Sequence, residues 1–482
     1  MYDAARLTIG SVMSQQRPQS ARRTNASHRK TAVLFRIRVA WLTATRAALV
    51  GLALLVPVVG IEVAHAQANE EDTVRSALES AASQLQSGRP RAALEALKPI
   101  EALEPKNPWL WYYRGLADLR LRNAYMAMAD FDRALDYMAE FGDPDPQLVE
   151  TVRHYRRRAR REVFSVDTQI GLAYDTNVSY LGDTTGGLGL ITGQDDGKFA
   201  SGLQIHYAPI ATEDHDLRIG ARLGHAWHFE IDEFDYQDYG GSIRYARWLG
   251  DHWEASLQYD YDYTLLGNDE FLSNHAITPG IQYQWRPGNV PFGPDRTFVF
   301  YQLNGRDFQF DTTPSYDRDG IINGVGVEQS FLFRPLPGTT RTGDLAIGYR
   351  YDSISTKGTE FDRNTNSFYL GLGLPILNPW APDRYLILPD KELVFRFNAN
   401  WLVADYREDS RLDARRRKRD DLIATYAFSV SQQLLEDLEY GDLILHGIIH
   451  WTDADSSLTA RYGREPFTYD KVVYGVQLEW RW

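Results

Sequence analysis

Residues 472–482 read VVYGVQLEWRW, and this stretch decides the fold. Its even-numbered positions are all apolar or aromatic, whereas Gly475, Gln477, Glu479 and Arg481 occupy most of the odd ones. Alternation with a period of two predicts a β-strand with one apolar and one polar face. Such a strand with a free edge invites aggregation in a soluble protein. A transmembrane barrel, by contrast, uses a strand of this kind to close against its first strand.

The aromatic end of this strand resembles the C-terminal signal by which bacterial outer-membrane proteins are recognised for insertion. The residues of the predicted insertion signal are Tyr474, Val476, Leu478, Trp480 and Trp482. The resemblance implies that the barrel-assembly machinery is a partner during biogenesis.

Composition agrees with a barrel and excludes several other classes. The chain has 482 residues, 43% of them hydrophobic, and a mean hydropathy of −0.42. Since the predicted mature chain also has no run of about 18 or more apolar residues, a helical membrane protein is excluded. Aromatic residues make up 13% of the chain, which suits the interfacial girdles of a barrel. The net charge of −13 argues against nucleic acid as a partner. The absence of cysteine excludes disulfides, thiolate metal sites and cysteine nucleophiles.

The first 66 residues are expected to be a long basic n-region and a signal peptide. An apolar stretch, Ala47–Val59, precedes the small-x-small motif Ala64–Ala66, after which cleavage is predicted. The alternative is a single membrane anchor, but Pro57 and Glu62 leave an apolar core shorter than the ~20 residues that a spanning helix needs.

Residues 69–162 show a helical pattern with a period of 34, which is typical of tetratricopeptide repeats. The small and large residues of this repeat signature are Ala93, Leu97 and Ile100, then Gly115 after Trp111, and then Ala127, Phe131 and Ala134. The alternative is an ordinary helical hairpin whose Ala and Leu residues are simply core. Two repeats and a capping helix are too few for a free solenoid, so this block is expected to pack at the periplasmic mouth of the barrel.

Candidate client-binding residues lie within this block. The aromatic candidates are Trp111, Tyr112 and Tyr125, and the alternative role for each is repeat core. Arg156 and Arg157 belong to an arginine-rich capping helix. One interpretation is that this helix makes an electrostatic contact with an acidic client or with acidic barrel turns. A solvated helix face with cations near its C-terminus is the other.

Residues 163–482 alternate apolar and polar positions to the end of the chain, and roughly fourteen strands can be counted. The clearest segments are 217–224, 253–265, 345–351, 368–374, 393–401 and 422–430. The predicted fold class is therefore α + β multidomain, with a short periplasmic tetratricopeptide-like helical domain followed by an antiparallel transmembrane β-barrel. The alternative is a soluble propeller or sandwich. It is disfavoured because the strands carry large aromatic residues on one face and polar residues on the other.

Connection lengths supply a second test of a barrel. Odd-numbered connections are expected to point outward and to be long, and even-numbered ones to be tight. The predicted long ones are 182–197, 353–365, 406–421 and 453–468, while the fourth is nearly a Gly250-Asp251 hairpin. The tenth, around 375–390, departs from this rule.

No catalytic, cofactor or metal site is predicted. The chain contains no G-x-S-x-G, H-E-x-x-H or P-loop motif, and nothing marks a Ser–His pair. His446 and His450 share a strand face, but strand geometry separates them by ~13 Å, too far for one metal. The cations at 415–419 lie in a predicted surface loop. One interpretation is that they pair with lipopolysaccharide phosphate, and the other is that the loop is simply solvated.

The order of signal peptide, short tetratricopeptide domain and fourteen-strand barrel resembles the surface lipoprotein assembly modulator family of Gram-negative outer membranes. The resemblance covers Asn69 to Trp482, and GLAYDTNV at 171–178 looks like a first-strand segment common in that family and in related barrels. It implies a translocation factor in the outer membrane that recruits an exported polypeptide, mostly a lipoprotein, through periplasmic repeats. Outer-membrane lipid and lipopolysaccharide are further expected partners.

Two alternatives stay open at this point. Tetratricopeptide-barrel exporters of exopolysaccharide have the same order of parts but usually many more repeats, so a porin-like or polysaccharide-conducting channel is the alternative function. An outer-membrane enzyme is the third hypothesis.

Overall fold

The computed structural model describes residues 59–140, 145–179, 194–250, 252–285, 292–309, 314–333, 342–377, 392–411, 413, 415–438, 441–458 and 467–482. The chain divides into two compact units, one built of helices and one built of strands. Most of the predicted signal peptide, up to residue 58, lies outside the described residues.

The described part of the helical unit consists of α-helices joined by short turns. They are α1 (Val59–Gln86), α2 (Pro90–Leu103), α3 (Pro108–Arg120), α4 (Ala124–Glu140) and α5 (Pro146–Val163). Helix α1 is described from Val59, before the predicted domain start at Asn69. None of the described helices is both long and apolar enough to cross a membrane.

Close packing between α3 and α4 explains the small residues of the repeat. The structure buries Ala93, Leu97, Ile100, Ala127, Phe131 and Ala134 in one apolar core. A Cβ atom at Gly115 would lie 2.7 Å from Cε1 of Phe131, so only glycine allows α3 this approach. At the start of α3, the Asn107 side chain accepts a hydrogen bond from the Trp109 N–H at 3.0 Å. This capping and Pro108 at the first helical position fix where α3 begins.

The strand unit begins directly after α5. Its strands are β1 (Phe164–Asp175), β2 (Asp196–Ala211), β3 (His215–His228), β4 (Tyr236–Leu249), β5 (Trp253–Leu266), β6 (Asp269–Gln284), β7 (Phe292–Phe308), β8 (Gly320–Phe333), β9 (Gly343–Thr356), β10 (Arg363–Leu377), β11 (Glu392–Asp409), β12 (Lys418–Leu438), β13 (Gly441–Ser456) and β14 (Tyr469–Arg481). Short 3₁₀ helices at Asp232–Phe234, Pro314–Tyr316 and Thr359–Phe361 lie in three of the connections.

These strands form one closed antiparallel barrel in which each strand pairs with its sequence neighbours and β1 pairs with β14. The closing ladder runs from Asp167 opposite Arg481 to Asp175 opposite Val473. Beyond it, the backbone of Trp482 both donates to and accepts from Val166, at 2.9 and 3.0 Å. The prediction of an antiparallel barrel of about fourteen strands, closed by the C-terminal stretch, is confirmed.

The outer face of the barrel is apolar. On the closing strands, Leu172 and Val476 are each 55% exposed, although both are large aliphatic residues. Other exposed apolar side chains follow the same alternation around the barrel, among them Ile219, Ile243, Leu257, Ile281, Val299, Val325, Ile347, Phe368, Val403, Leu422 and Ile449. A continuous apolar exterior over a polar interior is the surface of a lipid-embedded barrel, which supports placement in the outer membrane.

The predicted alternation of connection lengths holds only in part. The first connection (176–195) is long, and the second (212–214) and fourth (250–252) are short. The expectation of a long fifth connection is wrong: Gly267 and Asn268 form a tight turn, with φ of 57° and 70°. The ninth and eleventh connections are shorter than predicted, because strands β9 to β12 extend beyond the apolar band and carry polar residues there.

Candidate functional site

Charged side chains pair with one another around the inner face of the barrel. Arg222 on β3 donates to Asp238 on β4 at 2.9 Å and to Asp262 on β5 at 2.7 Å, and so links three strands. Asn274 on β6 extends this chain by donating to Asp262 at 2.9 Å. Further inward ion pairs are Arg244–Glu254, Arg296–Glu328, Arg350–Asp352 and Arg419–Asp421. The inner wall is therefore polar and wettable, and its charges largely neutralise one another.

Residues of the GLAYDTNV segment form buried hydrogen bonds and ion pairs where β1 closes the barrel against β14. Asp175, which is almost completely buried, accepts from Lys198 on β2 and from Lys471 on β14, both at 2.8 Å. Lys471 also donates to the Asn177 carbonyl at 2.9 Å, and the Thr176 N–H donates to the Val472 carbonyl at 3.0 Å. The Tyr-Asp-x-Asn residues thus tie the first strand to both of its neighbours.

A second polar chain crosses the seam nearer the chain terminus. Ser431 Oγ and His446 Nδ1 are 2.7 Å apart, and His446 Nε2 lies 2.8 Å from Glu479 Oε2. Arg481 donates to Glu479 at 2.6 Å and lies 3.6 Å from Asp167 on β1. The chain therefore joins β12, β13, β14 and β1 on the lumen side.

This arrangement brings together a serine and a histidine that nothing in the sequence marks as a pair. Antiparallel register places Ser431 directly opposite His446, although no sequence motif contains both. The three groups follow the Ser–His–acid order of a hydrolytic triad, but the ring nitrogens are exchanged: Nδ1 faces the serine and Nε2 faces the acid. However, both residues lie in a regular part of the ladder, where backbone N–H groups are used in strand pairing rather than aimed at an oxyanion. Glu479 is fully buried and held by Arg481, so the geometry fits a structural network.

The predicted insertion-signal residues divide between two surroundings. Four of them, Tyr474, Val476, Leu478 and Trp480, alternate with the inward-facing residues of β14 and so belong to its outer face. Trp482 packs edge-to-face against Phe164, with ring centroids 5.7 Å apart.

The predicted client-binding aromatics of the helical unit are mostly core. Trp111 is 7% exposed and Tyr112 is 4% exposed, whereas Tyr125 on α4 is 41% exposed. Trp111 donates to the Pro105 carbonyl at 2.7 Å, and its ring lies beneath Arg133, 4.5 Å from centroid to guanidinium. Burial raises the pKa of the Tyr112 hydroxyl. These contacts favour the packing role for Trp111 and Tyr112.

A second pair of aromatic residues on α3, Trp109 and Tyr113, is partly buried against the helical core and partly exposed. Trp109 and Tyr113 stack with centroids 6.1 Å apart and an interplanar angle of 27°. Arg120 is exposed on the same helical face, because residues four and eleven positions after Trp109 return to nearly the same angle. We call Trp109 and Tyr113, together with Arg120, the aromatic stripe. Helical phase relative to buried Gly115 is the signal that could have found them.

The arginines predicted on α5 serve at least one structural contact. Arg156 forms an ion pair with Asp132 and so ties α5 to α4. Arg157 is half-buried. Burial, together with the nearby cations Arg156, Arg161 and Arg157, lowers the pKa of Arg160, which shows how closely these charges are crowded.

One carboxyl group in the helical core, that of Asp130, is fully buried, and its two arginine partners do not offset the effect of burial on its pKa. Asp130 is fully buried on α4, 3.4 Å from Arg114 Nε and 3.5 Å from Arg133 Nη1. Burial raises the pKa of this carboxyl to about 7; Arg114 opposes the rise, and a hydrogen bond with Asp118 adds to it. Among the described residues, no group of three or more His, Asp or Glu side chains could hold a metal ion.

No protein-family model matches the sequence, and no curated protein matches it. Among solved structures, CdiB from Acinetobacter baumannii is similar over 66% of this chain and 60% of its own length, with 9% identity and a TM-score of 0.32. A bacterial polysaccharide outer membrane secretin is similar over 65% of this chain and 98% of its own length, with 10% identity and a TM-score of 0.29. An anion-selective porin from Comamonas acidovorans is similar over 66% of this chain and 99% of its own length, with 9% identity and a TM-score of 0.31. Scores this low decide nothing about function, which must come from this chain's own geometry.

Proposed function

We propose that the protein is an outer-membrane translocation or assembly factor. Its helical unit, acting as a periplasmic tetratricopeptide domain, recruits an exported polypeptide, and the barrel passes that client through or along its wall. A surface lipoprotein is the client class that the resemblance to the surface lipoprotein assembly modulator family implies.

The observation that carries this proposal is the aromatic stripe. Large side chains that stay half-exposed and stacked on a rigid helix are typical anchors for a binding partner. Trp109 and Tyr113 stand on the first helix of the second repeat, and in a helical repeat array the concave face is built from such equivalent helices. A conducting pore alone gives no reason for a partly exposed aromatic pair on an appended unit.

The test is photo-crosslinking from the full-length protein in intact envelopes. A benzophenone amino acid replaces Tyr113, and a matched variant carries it at Met126, which is exposed on a different helix. We expect Tyr113 to crosslink one exported polypeptide and Met126 to crosslink it at least about fivefold less. Equal crosslinking from both positions, or none from either, would contradict the recruiting role.

A porin-like or polysaccharide-conducting channel is the second candidate, and the polar lumen favours it. Paired charges such as Arg222 with Asp238 and Asp262 make a wettable wall without needing a client. Deleting residues 69–162 separates the two functions. A channel keeps its conductance in a planar bilayer and its transport in cells, whereas a translocation factor keeps only the conductance.

A further inference from the structure

The connection between β11 and β12 carries the strongest concentration of cations in the described barrel unit. We call its described residues, Ser410, Arg411, Asp413 and 415–417, together with Lys418 at the start of β12, the arginine turn. As the eleventh connection, it stands at the barrel end opposite Phe164 and Trp482. If the helical unit is periplasmic, as proposed, this end faces outward.

The structure splits the cationic run at 415–419 into two groups. Arg419 is buried: it donates to Asp421 at 2.8 Å, and its guanidinium lies 3.7 Å from the ring centroid of Phe467. Arg417 pairs with Asp413 at 3.1 Å. These two cations are therefore neutralised within the protein.

The remaining cations point to solvent without an acidic partner among the described residues. Arg411, Arg415, Arg416 and Lys418 are all exposed, and their side chains take part in no ion pair there. Exposed carboxylates lie on the adjoining strand ends at Asp409, which stands opposite Lys418 in the strand register, and at Asp420.

Internal hydrogen bonds fix the shape of the turn. Asp413, which is buried, accepts from the backbone N–H groups of Arg415 and Arg417, each at 3.0 Å. Arg416 is held at φ 51°, a conformation that non-glycine residues adopt at a cost of about 1 kcal/mol or more. Such a geometry persists only where the surroundings impose it, so the turn is not a freely moving solvated loop.

A neighbouring connection anchors the same turn. Glu360, a buried residue of the 3₁₀ helix Thr359–Phe361, accepts from the Ser410 hydroxyl and from the Arg411 N–H, the latter at 3.0 Å. The exposed cations are thus presented in a fixed arrangement, which lowers the entropy cost of binding a multivalent anion.

The height of the turn above the apolar band indicates which anion it meets. Lys418 and Leu422 share the outer face of β12, and Leu422 is an exposed apolar residue of the band. Four residues of strand span about 14 Å, or about 10 Å along the membrane normal for a strand tilted by ~40°. Lipid head groups lie within this distance of the hydrocarbon boundary.

We propose that the arginine turn binds the phosphate groups of an anionic glycolipid in the outer leaflet. Guanidinium groups pair with phosphate through two parallel hydrogen bonds, which suits Arg411, Arg415 and Arg416 better than a single carboxylate ligand. The proposal rests on the outer-membrane orientation given above but not on the identity of any client.

The experiment measures binding of phosphorylated and dephosphorylated lipopolysaccharide to the full-length protein in neutral detergent. The test variant combines Arg415→Ala, Arg416→Ala and Lys418→Ala. The control variant combines Lys106→Ala, Arg247→Ala and Lys357→Ala, three exposed cations elsewhere, so both variants change the net charge equally. Heat-modifiable migration on gels checks that each barrel is folded.

We expect the test variant to bind phosphorylated lipopolysaccharide at least about tenfold more weakly than the parent protein, and the control within about twofold. Dephosphorylated lipid should bind the parent and the test variant alike. Equal weakening by the control variant would mean that only overall charge matters and would overturn the proposal. Full competition by millimolar inorganic phosphate would assign the turn to free phosphate instead of lipid.

A failure here leaves the recruiting role intact, because the two experiments read different residues. Crosslinking from Tyr113 reports the helical unit, whereas lipid binding reports the arginine turn. A single charge-preserving variant, Arg416→Lys, refines the result: it keeps the charge but loses the bidentate geometry, so we expect an intermediate affinity.

Discussion

The barrel wall and the helical core bury charge in opposite ways. In the wall, Asp175 lies between Lys198 and Lys471 at hydrogen-bonding distance, so each buried charge has a partner. In the helical core, Asp130 is equally buried, but it lies beside a second buried acid, Asp118, and its two arginine partners at 3.4 and 3.5 Å do not offset the effect of burial on its pKa. The barrel puts its apolar residues outside and uses paired charges as its interior, whereas the helical unit has an apolar interior that tolerates two acids, Asp118 and Asp130. The difference predicts that the same kind of substitution has opposite effects in the two regions.

Removing the acid from the wall should produce the largest loss. Asp175→Ala leaves two buried lysines without a counter-charge, and we expect the free energy of unfolding to fall by about 3–5 kcal/mol. Urea unfolding of the barrel in detergent, followed by tryptophan fluorescence, measures this change. Asp453→Ala removes an exposed acid from the outer face and serves as the control, with an expected change within about 0.5 kcal/mol. Similar losses in both variants would remove the contrast on which the comparison rests.

The helical core should respond mainly to shape. Gly115→Val forces a branched side chain against Phe131, and we expect a destabilisation of about 1–3 kcal/mol confined to α3 and α4. Hydrogen exchange with mass spectrometry reads this as faster exchange in peptides from those helices. Ser83→Val, at an exposed position of α1, is the matched control. Faster exchange throughout the barrel would show that the helical unit does not open independently.

Removing the acid from the helical core should stabilise it at neutral pH. The pKa of Asp130 is about 7 in the folded chain, above its ordinary value of 3.8, so the native state holds a proton that the unfolded state has released. Stability from this group is therefore present at low pH and is lost as pH rises through 7, at up to about 1.4 kcal/mol per pH unit. Hydrogen exchange of α3 and α4 between pH 5 and 8, corrected for the intrinsic rate, measures it.

Asp130→Asn should flatten that dependence and raise the stability of α3 and α4 at pH 8. Asp132→Asn on the same helix is the control, because its partner Arg156 and its exposure make it an ordinary surface pair. If Asp130→Asn destabilises these helices at pH 8, then the carboxylate is well satisfied and the two regions handle charge alike.

The smallest effect is expected at the Ser431–His446–Glu479 chain. Ser431→Ala removes one hydrogen bond of the wall network, which should cost about 1 kcal/mol or less. We also expect no hydrolysis of soluble esters or phospholipids by the parent protein. Hydrolysis that Ser431→Ala abolishes at unchanged stability would turn the network into an active site, and His446→Ala should then abolish it too.

Sequence periodicity was sufficient for the closed barrel and for the helical character of the other unit. The alternation at 472–482 and along the other strands gave the closed antiparallel barrel, and the period of 34 gave the buried positions Ala93, Leu97, Ala127 and Phe131. Both patterns are local, because a strand or helix face is defined by residues a few positions apart. Turn chemistry was less certain: the tight turn at Gly267 and Asn268 needed positive φ at both residues, which the length rule did not consider.

The candidate sites depended on contacts that periodicity does not contain. Asp175 and Lys471, like Ser431 and His446, meet only through strand register, and register is fixed by the whole closed sheet. Trp109 and Tyr113 were separated from Trp111 and Tyr112 by which face of α3 the neighbouring helices cover. The run 415–419 was visible as charge, yet only packing showed that Arg419 turns inward while Arg415, Arg416 and Lys418 stay outside. The sequence by itself thus determined the two kinds of unit and their apolar faces, since these follow from local periods. The tertiary structure decided which charges are paired and which are presented, because pairing depends on distant residues brought together by closure.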